Sequence, residues 1–84
     1  MKITVRYFAL LRERLGVESE VLTWESAAPT VGALREHLAD RAPAHAAVLT
    51  ARPLLVAVNR EYAAPQTLLK DGDEVALFPP VTGG

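Results

Sequence analysis

MKITVRYF, residues 1–8, alternates apolar and polar side chains, and this octapeptide decides how the chain begins to fold. Ile3, Val5 and Tyr7 share one phase of the alternation, and the polar residues between them share the other. Successive side chains of a strand point to opposite faces, so a period of two is typical of a half-buried strand. The octapeptide therefore predicts a first strand that buries one face and exposes the other.

The residues that follow the octapeptide change to good helix formers. Residues 9–15 contain Leu11 and Leu15 four positions apart, and Gly16 stands where a left-handed residue commonly ends a helix. Residues 18–24 hold Val21, Leu22 and Trp24, and the short connection favours antiparallel pairing with the first strand. We therefore expect a strand, a short helix and a returning strand.

The longest helical pattern lies in the middle of the chain. Thr30 is a candidate N-cap, and Val31, Leu34 and Leu38 recur at the spacing of one helix face. The pattern predicts a main helix from Val31 to about residue 41, packed on a sheet through these three apolar side chains.

The second half of the chain supplies two more strands. Pro43 either ends the main helix or starts a second, short helix over residues 44–49. Residues 54–58 are an uninterrupted apolar run, which predicts a strand buried on both faces at the centre of the sheet. Gly72 lies in a turn that needs a positive φ, and residues 74–78 form the last strand.

The predicted order is strand, strand, helix, strand, strand. It indicates an α+β domain in which a mixed sheet wraps over one main helix, with short additional helices. This is the β-grasp arrangement of ubiquitin-like proteins. We expect one domain over residues 1–79 and a C-terminal tail over residues 80–84, because Pro79 and Pro80 cannot continue a strand ladder.

The composition excludes several classes of function. The chain has 84 residues, no cysteine and a formal net charge of −1, so it has no thiolate nucleophile, no disulfide framework and no basic footprint for nucleic acid. It shows no signal peptide and no apolar stretch near the roughly 18 residues of a membrane span. We expect a cytoplasmic protein that binds neither nucleic acid nor a membrane.

The sequence predicts no metal site and no conventional catalytic constellation. His37 and His45 belong to no ligand-spaced motif. The carboxylates of residues 71–74 flank Gly72 as ordinary turn residues do. Neither a phosphate-binding glycine loop nor a nucleophile-elbow motif is present.

The last two residues are Gly83 and Gly84. With no other reactive motif in the sequence, the terminal carboxylate of Gly84 is the candidate reactive group. Glycine has no Cβ and lets a chain approach another backbone closely, and residues 80–84 reach at most about 16–18 Å when extended. A carboxylate becomes an acyl donor once it is adenylated, so the tail is a candidate thread that carries a reactive group into a partner. The alternative is a frayed tail without a function.

Three aromatic residues, Phe8, Tyr62 and Phe78, are candidates for a partner-facing patch. Phe8 is out of phase with the buried set of the first strand, and Phe78 is out of phase with the apolar residues of the last. Arg12 is a candidate cation at the rim of the patch, where it would attract an acidic partner. The alternative is that the three rings complete a small core.

Four segments together resemble the family of small subunits of molybdopterin synthase. They are YFALLRE at residues 7–13, AVN at 57–59, DGDEV at 71–75 and FPPVTGG at 78–84. The resemblance covers essentially the whole chain, and the Phe-Pro-Pro run before Val-Thr-Gly-Gly is its most specific part. It implies the ubiquitin-like β-grasp fold and a sulfur carrier of molybdenum cofactor biosynthesis.

The resemblance also implies a reaction sequence. An activating enzyme adenylates the carboxylate of Gly84 with ATP, a sulfur donor protein converts it to a thiocarboxylate, and the tail enters the large synthase subunit. Sulfur then passes to cyclic pyranopterin monophosphate, and two transfers build the dithiolene. The resemblance thereby implies that the chain is the small subunit of a sulfurtransferase, a co-substrate that binds no cofactor itself. It also implies that the catalytic pocket lies on the large subunit, within a heterotetramer.

Individual roles follow from the same resemblance. Gly84 bears the thiocarboxylate, and Phe8 and Phe78 form the interface with the large subunit. Tyr62 stands where the family usually has an aliphatic residue. The inserted thread is formed by Pro80, Val81, Thr82 and Gly83.

Other proteins of the same fold are alternatives. They are sulfur carriers for thiamine or tRNA thiolation, a ubiquitin-like modifier joined to protein lysines, and a non-catalytic adaptor with an inert tail. The thiamine-pathway carriers are usually shorter and lack the Phe-Pro-Pro lead-in. Intact mass after co-expression with an activating enzyme separates these functions, because it shows a thiocarboxylate, lysine adducts or no change.

Overall fold

The computed structural model describes residues 1–50 and 54–79. The strands form one five-stranded sheet in the order β2-β1-β5-β3-β4, in which β1 and β5 are parallel and the other neighbours are antiparallel. This mixed sheet over a main helix, with two shorter helices, confirms the predicted α+β β-grasp class. In chain order the elements are β1 (Lys2–Tyr7), α1 (Leu10–Leu15), β2 (Ser19–Thr23), α2 (Val31–Ala39), α3 (Pro43–Thr50), β3 (Leu55–Val58), β4 (Glu61–Tyr62) and β5 (Glu74–Phe78).

The N-terminal half follows the sequence pattern closely. Ile3, Val5 and Tyr7 of β1 are fully buried, as the alternation predicts. β1 and β2 pair antiparallel in one unbroken register. Between them α1 ends at Leu15 and is capped by Gly16, whose φ of 73° is the left-handed conformation that glycine adopts without a Cβ clash.

The main helix α2 starts as predicted and ends two residues earlier than expected. The Thr30 hydroxyl oxygen accepts a hydrogen bond from the Ala33 backbone N–H at 3.1 Å, so Thr30 is the N-cap. The helix ends at Ala39. Proline disfavours helical backbone in the residue before it, and Pro43 instead becomes the first residue of the separate helix α3.

The prediction that residues 54–58 form the central strand is wrong. The middle position belongs to β5, and β3 lies between β5 and the two-residue strand β4, which the sequence analysis did not predict. The cause is the parallel pairing of the first and last strands, which places both of them in the interior of the sheet. The apolar run of β3 still supplies buried residues, among them Val56 and Ala57.

One hydrophobic core lies between the inner face of the sheet and the helices. Its members share almost complete burial, and α2 contributes through the predicted side chains Val31, Leu34 and Leu38. None of the helices in the described part of the chain is long and apolar enough to cross a membrane. The largest fully buried side chains are Tyr7, Ile3, Leu34, Leu38, Leu49, Leu77, Val5 and Val75.

Candidate partner-binding surface

Phe8 and Phe78 lie side by side because β1 and β5 run parallel and in register. Tyr7 is opposite Leu77, and both of these residues point into the core. The next residue of each strand therefore points to the outer face. The rings of Phe8 and Phe78 meet edge to face, with centroids 6.3 Å apart and planes at 88°. This geometry is a favoured one for aromatic pairs.

Tyr62 extends the same surface toward the far edge of the sheet. β4 pairs with β3 so that Tyr62 is opposite Ala57, and Ala57 is opposite Ala76 of β5. The Tyr62 ring thereby reaches Phe78, with centroids 6.0 Å apart. We call Phe8, Phe78 and Tyr62 the aromatic row.

The aromatic row is accessible from solvent. Phe8 is 38% exposed and Tyr62 is 77% exposed, while Phe78 between them is half-buried. Phe8, Ala76 and Phe78 line a shallow apolar hollow on this face. The structure thus brings together the three aromatic residues that the sequence singled out, and it places two of them outside the core. Their contact with a partner stays a prediction.

The cation beside the aromatic row is Arg6. Its guanidinium carbon lies 5.5 Å from the centre of the Phe8 ring, within the range of a cation–π interaction. The guanidinium also lies 3.9 Å from a carboxylate oxygen of Glu74. Arg6 is not among the residues predicted from the sequence, although its position two residues before Phe8 places it on the same face of the sheet.

Arg12, the cation that the sequence analysis chose, is an exposed residue of α1. Within residues 1–50 and 54–79, the structure gives no ring or ion-pair contact between Arg12 and the aromatic row. Its role at the partner interface therefore stays a prediction.

The tail begins directly beside the aromatic row. Phe78 is the last residue of β5, and Pro79 follows it. The tail residues Pro80, Val81, Thr82, Gly83 and Gly84 lie outside the described residues, so their insertion, the reactive role of Gly84 and the domain boundary after residue 79 stay predictions.

A second apolar concavity lies at the base of the tail, on the helical side of the sheet. Its volume is about 250 Å³. With the aromatic row on the outer face, the point where the chain leaves β5 has apolar surface on both sides. The concavity is lined by Leu10, Leu11, Arg14, Ala47, Val48, Leu54 and Pro79.

The titrating groups with shifted pKa values form a structural network behind the sheet. The Tyr7 hydroxyl donates to Glu20 Oε2 at 2.7 Å, and the Arg41 guanidinium donates to both Glu20 oxygens at 2.8 and 2.7 Å. Burial and then the bond to Glu20 raise the pKa of Tyr7 above its ordinary value. The hydrogen bond from Arg41 holds the pKa of Glu20 below its ordinary value. This network joins β1, β2 and the connection between α2 and α3.

The carboxylates of the acidic turn before β5 accept hydrogen bonds from two backbone N–H groups and from the Asn59 side chain. Asp71 Oδ1 accepts from the Lys2 N–H at 2.6 Å, and the Asp73 carboxylate accepts from the Lys70 N–H at 2.8 Å and the Asn59 amide at 2.9 Å. Gly72 has a φ of 88°, as the turn prediction required. These carboxylates close the turn and fix the start of the strand that carries the tail.

Comparison with known proteins gives matches along the whole chain. The model of the ThiS family matches residues 5–84. The molybdopterin synthase sulfur carrier subunit of Escherichia coli is 44% identical over 98% of this chain and 99% of its own length.

Two solved structures extend the comparison. Small archaeal modifier protein 1 of Haloferax volcanii is 30% identical, with a TM-score of 0.79 over 100% of both chains. A complex of subunits 1 and 2 of the molybdopterin-converting factor from Helicobacter pylori contains a chain that is 28% identical. Its TM-score is 0.68 over 100% of both chains.

Proposed function

The chain belongs to the ThiS family, and from that premise we propose that it is the sulfur carrier subunit of molybdopterin synthase. The end-to-end match to the curated Escherichia coli subunit supports this function. The Helicobacter pylori complex, in which a similar chain is solved together with a second subunit, supports a large-subunit partner. The observation that carries the proposal is the aromatic row, which lies where the last strand runs into a tail ending in Gly83-Gly84.

The aromatic row supplies the energy and the orientation for docking. Interfaces concentrate their binding energy in a few buried aromatic anchors, and the edge-to-face contact with Phe8 holds the Phe78 ring in place before a partner arrives. Arg6 adds a cation at the rim of the row, where it would attract an acidic group of a partner. A partner bound here receives the tail at a fixed starting point, because Pro79 is the neighbour of Phe78.

The reacting group is the carboxylate of Gly84. An adenylating enzyme joins it to the α-phosphate of ATP and releases pyrophosphate. Sulfur at the oxidation level of sulfide, released by a sulfur donor protein, then attacks the acyl carbon and displaces AMP, which gives the thiocarboxylate. The tail carries this sulfur into a pocket of the large subunit, where it passes to cyclic pyranopterin monophosphate. The carrier contributes the sulfur atom and its delivery, and acid–base groups come from the large subunit.

The decisive test blocks the carboxylate and leaves the domain intact. A chain extended by one residue after Gly84 should lose sulfur transfer to the pterin precursor, measured with the large subunit present. Its melting temperature should stay nearly unchanged, because a tail residue adds little buried area. The matched control is the same extended chain after proteolytic removal of the added residue, which should recover full transfer. A blocked carrier that still forms dithiolene at the normal rate would overturn the proposal.

Intact mass distinguishes this function from protein modification. Small archaeal modifier protein 1 has the same fold, so the fold alone does not separate a carrier from a modifier. After co-expression with the activating enzyme, the carrier should show the exchange of one oxygen for sulfur on its own chain. Adducts on lysines of other proteins, without a thiocarboxylate, would indicate a modifier instead.

A further inference from the structure

The two edges of the sheet differ in how they are protected. An exposed edge strand presents unpaired backbone groups, and proteins usually blunt it with a short strand, a charge, a proline or a bulge. The edge strand β4 has only two residues. The opposite edge strand, β2, has five residues, and its register with β1 runs without a bulge from Thr23 to Ser19.

The pairing of β2 with β1 shows which backbone groups face outward. The Trp24 N–H donates to the Met1 carbonyl and the Tyr7 N–H donates to the Glu18 carbonyl, both at 2.9 Å. Hydrogen-bonded pairs alternate along an antiparallel ladder, so Glu20 and Leu22 also direct their backbone groups toward β1. The N–H and C=O groups of Ser19, Val21 and Thr23 therefore point away from the sheet. We call them the β2 edge.

The side chains at the β2 edge include none of the charges or prolines that usually prevent another strand from pairing there. Val21 is 66% exposed at the middle of the strand, with uncharged Ser19 and Thr23 on either side. The one charged residue of β2 is Glu20, and Arg41 and Tyr7 hold its carboxylate at the inner face.

We propose that the β2 edge is a docking site for a second copy of this chain, paired antiparallel about a two-fold axis at Val21. In that register Val21 is opposite Val21 of the other copy, and Ser19 is opposite Thr23. The outward N–H and C=O groups of all three residues then find partners. Glu20 falls opposite Leu22, so no two like charges meet across the pair. The strand is thus complementary to itself in both backbone and side-chain pattern.

The dimer leaves the aromatic row free. The two-fold axis is perpendicular to the sheet, so the outer faces of both copies form one face of a ten-stranded sheet. From the strand spacing and the rise per residue, the two Phe8 positions would lie about 30 Å apart. Each copy can bind its own partner, and the inference does not depend on the sulfur-carrier function.

The size of the contact predicts a weak dimer. One added pair of five-residue strands falls well short of the roughly 800 Å² per partner of a standard interface. We therefore expect a dimer that forms reversibly at chain concentrations on the order of 1 mM or below, near the weak end of the affinity scale.

Sedimentation equilibrium over a concentration series tests this inference. The mass of the unaltered chain should rise from monomer toward dimer, and Val21→Lys should weaken the association at least tenfold. The matched control is Leu68→Lys, because Leu68 is 65% exposed and lies beside β3 and β4, at the opposite side of the sheet from β2. It likewise replaces an exposed aliphatic side chain by lysine. A constant monomer mass up to about 1 mM, or equal weakening by both substitutions, would overturn the proposal.

Amide hydrogen exchange adds a measurement that needs no substitution. Protection of the Ser19, Val21 and Thr23 amides should rise with chain concentration, while that of Glu20 and Leu22 should stay unchanged. A dimer in which the three outward amides exchange freely at every concentration would show that the copies meet at another surface.

Discussion

The inner and outer faces of the sheet are made by the same strands, yet their apolar residues serve different ends. On the inner face Val5, Tyr7 and Leu77 are fully buried against the helices. On the outer face Phe8, directly after β1, and Phe78, the last residue of β5, form an edge-to-face pair, and Phe8 is 38% exposed. The phase of an apolar residue in these strands thus decides whether it joins the core or lies on the outer face, where we propose that the large subunit docks.

The comparison predicts that truncation on the inner side has the largest effect on stability. Leu38→Ala removes a fully buried side chain of α2, and the lost burial together with the cavity should cost about 2–5 kcal/mol. The measurement is the free energy of unfolding in a denaturant titration, with Leu34→Ala as its companion. A loss below about 0.5 kcal/mol for both variants would show that this helix face is not the one that packs on the sheet.

Truncation of a side chain on the outer face should have the opposite effect: it should weaken binding to the large subunit and leave the stability of the domain nearly unchanged. Phe78→Ala removes the middle ring of the aromatic row, so affinity for the large subunit should fall at least about tenfold while the free domain stays folded. Calorimetric titration with the large subunit measures the first quantity and thermal unfolding the second. Val21→Ala is the matched control, an exposed apolar truncation outside the row. Unchanged affinity would assign Phe78 to the rim, and global unfolding would assign it to the core.

The smallest expected effect is a pH dependence of the stability, which comes from the network of Tyr7, Glu20 and Arg41. The pKa of Glu20 is held below its ordinary value of 4.5, first by the hydrogen bond from Arg41. The folded state thus favours the charged carboxylate, and this stabilisation is present above the unfolded pKa and lost as the pH falls through the folded one.

Glu20→Gln should therefore lower the melting temperature at neutral pH, and the difference from the unaltered chain should shrink as the pH falls below 4.5. Glu36→Gln, on the exposed side of α2, is the matched control. A difference that stays constant from neutral to acidic pH would mean that the Glu20 charge adds nothing to the fold.

Much of this organisation could be predicted from local patterns. The period of two in β1 predicted both the buried set and the outward position of Phe8, and the N-cap at Thr30 predicted the start of α2. Arg6 could have been found by the same reasoning, because it shares the outward phase of Phe8. Among the described residues, Arg12 has no ring or ion-pair contact with the aromatic row. Local periodicity could not predict this, because it does not encode which side chains of different elements meet.

Local patterns could not predict that β4 is a strand, or that its residue Tyr62 lies next to Phe78. β3 and β4 are joined by the two residues Asn59 and Arg60, whose φ values are 50° and 72°. Such a turn usually carries glycine at its second position, since both residues need a positive φ. Arg60 stands where glycine would have indicated the turn. A strand of two residues is also too short to show a period of two in its sequence. The order of the strands was also beyond local patterns, because it depends on the pairing of β1 with β5.

The position of β5 between β1 and β3 has a mechanical consequence for a chain that is held by its end. A pull on Pro79 acts along β5, parallel to the hydrogen-bond ladders on both of its sides. The bonds of the two ladders then resist together in shear, whereas a strand peeled from an edge gives up its bonds one after another. A partner that pulls on the tail therefore applies force along the direction in which the sheet resists unfolding most strongly. The domain can then be bound and released by its tail without unfolding.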